Sequence, residues 1–421
     1  MARRTDVLVI GGGHSGLVMS QALSRRGIDH AVLERGTVAN SWRTERWDSL
    51  QLLTPNWMAR LPGEDEPPDP HGFMRAGELA ARLSTYAARI AAPLHTGTTV
   101  LRVAAAAGGY RVATDRGDWH ARALVLASGA FSRPALPPIA AALPAGIHQL
   151  HALHYRAPGQ LPEGGVLVVG ASATGLQLSQ EIQLSGRPVT LAVGEHVRLP
   201  RRYRGRDIQW WMHAAGVLDQ RIEQMDEPAR ARRLPSPQLI GSDAPATLDL
   251  NTLRAQGVRL AGRLMGLRDG QALFSGSLCN TCALADLKMN RLLDLLDRWA
   301  VGRGLSDEME APQRFAPTGL DASPLLTMDL AREVRSVVWA TGARPDHSWL
   351  DLPVFDARGA LRHDRGVVQG TTAMVALGLP FMRRRKSSFI HGAADDVREL
   401  LPHLVDGLCV RPRRGVAGLT G

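Results

Sequence analysis

The chain has 421 residues, of which 44% are hydrophobic and 21% charged, with three cysteines and a formal net charge of +10. That length supplies two cores without staples, the composition is that of an ordinary globular protein, and three cysteines exclude a disulfide framework. The expected state is a soluble cytoplasmic protein with no membrane span.

The chain opens on "MARRTDVLVIGGGHSG". Its basic start passes through a short apolar run straight into glycines, with no small-residue cleavage site, so it reads as a strand and not an export signal. "LVMSQALSRRG" has helical spacing with Gly27 as its stop, and "HAVLE" is a second strand, completing a βαβ unit. Residues 35–75 are irregular, and "AGELAARLSTYAARIA" predicts an amphipathic helix. "RVATDRGDWHARALVLASG" predicts a hairpin followed by a buried strand ending at Gly129, and "RPALPPIAAALP" reads as a linker.

The pattern then begins again. "GVLVVGASATG" is strand and turn, "LQLSQEIQLSG" a helix, and "PVTLAV" the next strand. An inserted segment, 198–250, starts basic and is expected to place Trp210, Trp211 and Met212 on one apolar helix face. "VRSVVWATGARPD" predicts another buried strand ending in glycine, and the tail ends in a helix, "AADDVRELLPHLVDGL". The fold class is α/β with two Rossmann-like dinucleotide-binding domains. Residues 1–155 form the first segment of one domain, 156–330 the other domain, and 331–421 the return to the first.

A dinucleotide pyrophosphate is held by unpaired backbone N–H groups at a helix N-terminus, assisted by the helix dipole. Gly11 allows the tight turn, Gly13 admits the phosphate, Gly16 lets helix and strand pack, and Glu34 ends the second strand where it can accept ribose hydroxyls. The second unit keeps Gly170 and Gly175 but has Ser172 in the middle, small enough to fit and able to bond a phosphate oxygen. Its second strand ends in Val193 and Gly194 instead of an acid. A carboxylate there would repel a 2′-phosphate, so its absence, followed by Arg198, Arg201 and Arg202, points to NADPH in the second turn. Basic runs lie at 198–206 and 383–386 with little aromatic interleaving, unlike strand-binding grooves, so no nucleic-acid partner is expected.

On these motifs the sequence resembles the class B flavin-dependent monooxygenases, which include the flavin-containing monooxygenases, their plant auxin-forming relatives and the Baeyer–Villiger enzymes. "GGGHSG", "VLASGAFSRPALPPI", "GASATG" and "WATGARPD" follow the family's order. The resemblance implies an NADPH domain inserted into an FAD domain. It carries over Gly11, Gly13, Ser15, Gly16, Glu34, Arg35, Trp42 and Arg43 as FAD contacts, Gly170, Ser172, Thr174 and Gly175 as NADPH contacts, and Gly129, Thr341 and Gly342 at the ends of two cofactor-side strands. "WDSLQLLTPNW" resembles the stretch beside the flavin ring, which makes Asn56, three residues beyond Leu53, the catalytic candidate. The family fingerprint survives as His151 and Tyr155, read as hinge or packing residues.

The implied chemistry is hydride transfer from NADPH to FAD, capture of O2 as a C4a-(hydro)peroxide, and transfer of one oxygen to a small organic substrate at nitrogen, sulfur or an activated carbon. Cys279 and Cys282 form a C-x-x-C that lacks further ligands for zinc, so no metal is expected and the pair reads as structural. Two alternatives stay open: a flavin disulfide or electron-transfer reductase, and a basic nucleic-acid-binding protein on a nucleotide fold.

Overall fold

The computed structural model describes residues 2–242 and 247–409, so residues 243–246 of the inserted segment lie outside the described residues. The first half of the chain builds β1 (Arg3–Ile10), α1 (His14–Ser24), β2 (His30–Leu33), α2 (Ala76–Arg89), β3 (Leu94–His95), β4 (Val100–Ala106), β5 (Gly109–Thr114) and β6 (Trp119–Leu126). The second unit follows as β7 (His148–His151), β8 (Val166–Val169), α3 (Ala173–Leu184), β9 (Val189–Ala192), α4 (Ile208–Ala214), β10 (Arg259–Ala261), α5 (Leu278–Gly302) and β11 (Ser336–Trp339). The chain ends in β12 (His363–Asp364), β13 (Val367–Val368), β14 (Met374–Ala376) and α6 (Ile390–Cys409).

Parallel strands covered on both faces must be apolar along their whole length, and the runs Val7 to Ile10 and Val166 to Val169 satisfy this by being buried throughout. β1 is the centre of the first sheet, parallel to β2 and β6, with Ile10 in register with Leu33 on one side and Leu126 on the other. β14 extends that sheet in parallel beyond β6; β5 pairs antiparallel with the start of β6, the hairpin expected over 111–129, and β4, which the sequence pattern had not marked, pairs with β5 on its other side. α1 and α6 pack together over this sheet, joining the two ends of the chain.

The second sheet has the order β10, β9, β8, β11, β7, parallel throughout. Its membership corrects the expected boundaries. Both β7 and β11 belong to it, with Trp339 in register with His151 and Val169, so the chain enters this unit before residue 148 and leaves it after 339, not at 155 and 330. The pairing is between strands far apart in the chain, which periodicity within either strand does not encode.

In the inserted segment Trp211 is buried in an apolar cluster and Trp210 and Met212 pack against the same cluster, as expected, while the turn of about 100° per residue gives each a further contact of its own. Trp211 is fully buried and its Nε1 donates to the Tyr203 carbonyl at 2.6 Å. Trp210 stacks under the Arg206 guanidinium at 4.4 Å, and Met212 reaches the cleft between the sheets.

Candidate functional site

The two glycine turns have the same backbone geometry. Gly11 and Gly170 sit at φ +118° and +110°, a region open to glycine, and a Cβ on either would lie 2.2 Å from the Ala127 carbonyl oxygen or 2.5 Å from that of Ala340. A Cβ on Gly16 or Gly175 would meet the Gly11 or Gly170 carbonyl oxygen at 2.0 or 1.8 Å, which fixes these two as the close helix–strand contacts. The middle residues, Gly13 and Ser172, share φ −84° and ψ −175°, an extended conformation that any residue adopts. Around a Cβ on Gly13 there is nothing within 4 Å. Serine therefore fits the second turn without backbone strain.

Gly13 and Ser172 are the N-cap residues of α1 and α3, and neither helix has a side-chain cap. Ser172, of a type that normally caps its own helix, leaves the first-turn amides of α3 open as an anion site. Both turns face one cleft of about 2900 Å³. Gly11, Gly13 and Ser15 line it from one side, Gly170, Ser172 and Thr174 from the other, while Gly16 and Gly175 stand behind the surface.

Glu34 also lines the cleft. Its Oε2 accepts from the Gly12 N–H at 2.8 Å and its Oε1 from the Gly36 N–H at 3.0 Å, so the carboxylate braces the turn and keeps lone pairs for ribose hydroxyls. Arg35 and Trp42 line the same region, with Arg35 paired to Glu45. Gly129, Thr341 and Gly342 line the floor between the turns. His151 Nε2 lies 2.9 Å from the Gly342 carbonyl, tying the two crossings between the sheets, and buried Tyr155 donates to Glu181 Oε2 at 3.1 Å.

Several expected site residues lie elsewhere. Asn56 is a loop staple: its Nδ2 donates to the Asp69 carbonyl and its Oδ1 accepts from the Met74 N–H, each at 2.9 Å, and it is not among the cleft-lining residues. Arg43 turns away to the Ala80 carbonyl at 3.2 Å and Ser84 Oγ at 3.0 Å. Arg198 is buried between Asp249 at 2.7 Å and Asp286 at 2.6 Å, and Arg201 is buried against Asp207 at 2.6 Å. Arg202 bonds the Gly205 carbonyl at its own hairpin, and none of the three lines the cleft. The acids that claim Arg198 arrive 51 and 88 residues later in the chain, so the arginine run could not be told from a phosphate site by its spacing.

The cleft also holds residues that the motifs do not mark as contacts. His14, the first residue of α1, has a buried Nε2 without a protein partner, and burial pulls its ring down to about 4, which keeps it neutral. Gly378 packs so closely on Ser15 that a Cβ would lie 2.9 Å from its Oγ. Its signal was in the sequence: "VALGLP" is a third strand ending in glycine, like those at 129 and 342. Beyond Gly194 the cleft is lined by Glu195 and Lys288, paired at 3.3 Å. Cys279 is exposed, Cys282 is buried with its thiol pushed up to about 12 by that burial, and neither lines the cleft. Among the described residues, no helix is long and apolar enough to cross a membrane.

Residues 8–213 match the family model described as pyridine nucleotide-disulphide oxidoreductase. An uncharacterized CzcO-like oxidoreductase of Geobacillus kaustophilus is 30% identical over 409 residues, 96% of this chain and 100% of that protein. The indole-3-pyruvate monooxygenase YUCCA1 of Oryza sativa is 30% identical over 203 residues, 47% of this chain and 50% of its own length. Among solved structures, a flavin-containing monooxygenase of Stenotrophomonas maltophilia aligns with a TM-score of 0.62 at 22% identity, covering 95% of this chain and 99% of that one. A bacillithiol disulfide reductase of Bacillus cereus aligns at 0.61 and 13%, covering 96% and 99%. The fold is shared by both kinds of flavoenzyme, so the chemistry has to be argued from the site.

Proposed function

This chain belongs to the CzcO-like oxidoreductase family, and from that premise we propose that it is an FAD- and NADPH-dependent monooxygenase that inserts one oxygen atom of O2 into a small organic substrate. The observation that carries the reading is the pair of turns with matching backbone geometry opening on one cleft. FAD in the first turn would supply hydride acceptance and oxygen activation.

The chain's own residues have the remaining tasks. The open first-turn amides of α1 receive the pyrophosphate, Glu34 holds the ribose, and Ser15 with Gly378 bounds the way from that turn toward the reacting end. Trp47, Leu50 and Leu52 line the cleft and are buried, an apolar lining that keeps water from the reacting atoms. His14, neutral at physiological pH, offers a hydrogen bond without adding a charge. For the second cofactor, two features support NADPH: the strand β9 runs into Val193 and Gly194 without an acid, and Lys288 lines the cleft beside Gly194, held there by its ion pair with Glu195 at 3.3 Å.

The cysteine pair argues against the reductase reading. A dithiol that exchanges electrons with a flavin must reach its ring and ionise, whereas Cys282 is buried with a raised pKa and neither thiol lines the cleft. The test is to reduce the FAD-loaded protein anaerobically with NADPH and mix it with oxygen. A transient absorbing to the blue of oxidised flavin, before the oxidised spectrum returns, is the expected result. Direct return of the oxidised spectrum with simultaneous loss of two thiols would assign a reductase instead.

A further inference from the structure

One end of the cleft is walled by residues 377–390 and by 212–220 of the inserted segment. Much of that wall is apolar, including Met212, Val217, Leu218, Leu379, Phe389 and Ile390. The basic run 383–386 enters it, and three of its four cations have acids. Arg383 and Arg384 pair with Glu399, Arg384 also with Asp396 at 3.2 Å, and Lys386 with Asp219 at 2.6 Å and Asp395 at 2.8 Å. Arg385 has no carboxylate partner among the described residues, although it lines the cleft. Asp219 lines the same wall, but Lys386 holds it.

Arg385 is nevertheless fixed in place. Its Nη2 donates to Gln220 Oε1 at 2.6 Å, its backbone N–H to the Gln220 carbonyl at 3.1 Å, and its guanidinium lies over the Phe381 ring at 5.1 Å. Its Nε is buried with no hydrogen-bond partner. A half-buried guanidinium in an apolar wall without a counter-ion is unfavourable unless an anion arrives to pair with it, and burial here pulls it below its ordinary value with no acid acting against that shift. A planar fork held rigid beforehand suits a carboxylate in a bidentate arrangement at little ordering cost.

We propose that Arg385 binds the carboxylate of the substrate, so that the enzyme takes small acids with an apolar body. This rests on the reading that the flavin sits in the first turn, because Gly378 against Ser15 brings the 377–390 wall to that turn. A nucleotide phosphate offers similar anionic oxygens, so the test must separate the two sources.

The probes are benzoate and its neutral isostere benzamide, followed by flavin absorbance on the FAD-loaded protein and by equilibrium dialysis, which needs no flavin. Wild type is expected to bind benzoate at least tenfold more tightly than benzamide. Arg385→Gln should erase that preference with FAD and NADP+ affinity unchanged, and Arg385→Lys should keep part of it, which shows that the site still folds. The proposal is overturned if wild type shows no preference, if Arg385→Gln retains it, or if that variant loses NADP+ affinity instead. Protein that binds no FAD would sink the cofactor reading, while the dialysis result would still decide the role of Arg385.

Discussion

Two of the 50 basic residues are lysines, Lys288 and Lys386, and the contrast between Lys288 and Arg198 shows how little a cation's position in the sequence says about its role. Arg198 clasps Asp249, the N-cap of the helix Leu250–Ala255, to Asp286 on α5 and also donates to the Ala316 carbonyl at 2.9 Å. Removing it would leave two carboxylates with little exposure unpaired. Arg198→Ala is therefore predicted to cost about 3–5 kcal/mol of stability, seen as a lower urea midpoint, while the folded fraction keeps its ratio of 2′,5′-ADP to 5′-AMP affinity. Lys288→Ala should leave stability within about 0.5 kcal/mol and weaken 2′,5′-ADP about tenfold with 5′-AMP unchanged. If Arg198→Ala folds normally but loses 2′,5′-ADP, the arginine run is the phosphate site after all.

At the scale of elements, the turns were legible because their chemistry is local. A positive φ at Gly11 and Gly170 and a contact below 2.1 Å at Gly16 and Gly175 leave room for glycine only, and those constraints act over six residues. The serine in the second copy was legible as tolerable; that its backbone angles equal those of Gly13 needed the structure. The docking of the inserted segment on α6 was not legible at all, since it depends on Glu399 gathering Arg221, Arg383 and Arg384 from two distant stretches. Those three guanidinium groups hold the Glu399 carboxyl far below the usual carboxylate range.

The sign of the pH effect follows from that depression. In the unfolded chain Glu399 titrates near about 4.3, and in the folded protein well below it. Its stabilising contribution is therefore complete above about 4.3 and is lost progressively as pH falls from there toward the folded value. Glu399→Gln is predicted to lower the urea midpoint at neutral pH, and the gap to wild type should narrow at pH values of about 3. A gap that stays constant with pH would mean the carboxylate is not ionised in this network.

For the whole molecule, the fold class and the return of the chain to its first sheet were read from four strand-and-glycine motifs in order, because each motif carries its own turn. The allocation of β7 and β11 was not: β7, "HQLH", has no apolar run to mark it as a strand, and the choice between sheets is made by partners elsewhere in the chain. The same limit applied to Asn56, whose amide is engaged by the Asp69 carbonyl and the Met74 N–H. What the complete fold adds is that both turns open on one cleft, so that two nucleotides would face each other.

That juxtaposition is tested most directly by mixing the FAD-loaded protein with NADPH in the absence of oxygen and following the flavin absorbance. The flavin should bleach completely, at a rate that saturates with NADPH concentration. A protein that holds both nucleotides tightly while its flavin stays oxidised would contradict the shared cleft as the site of reaction.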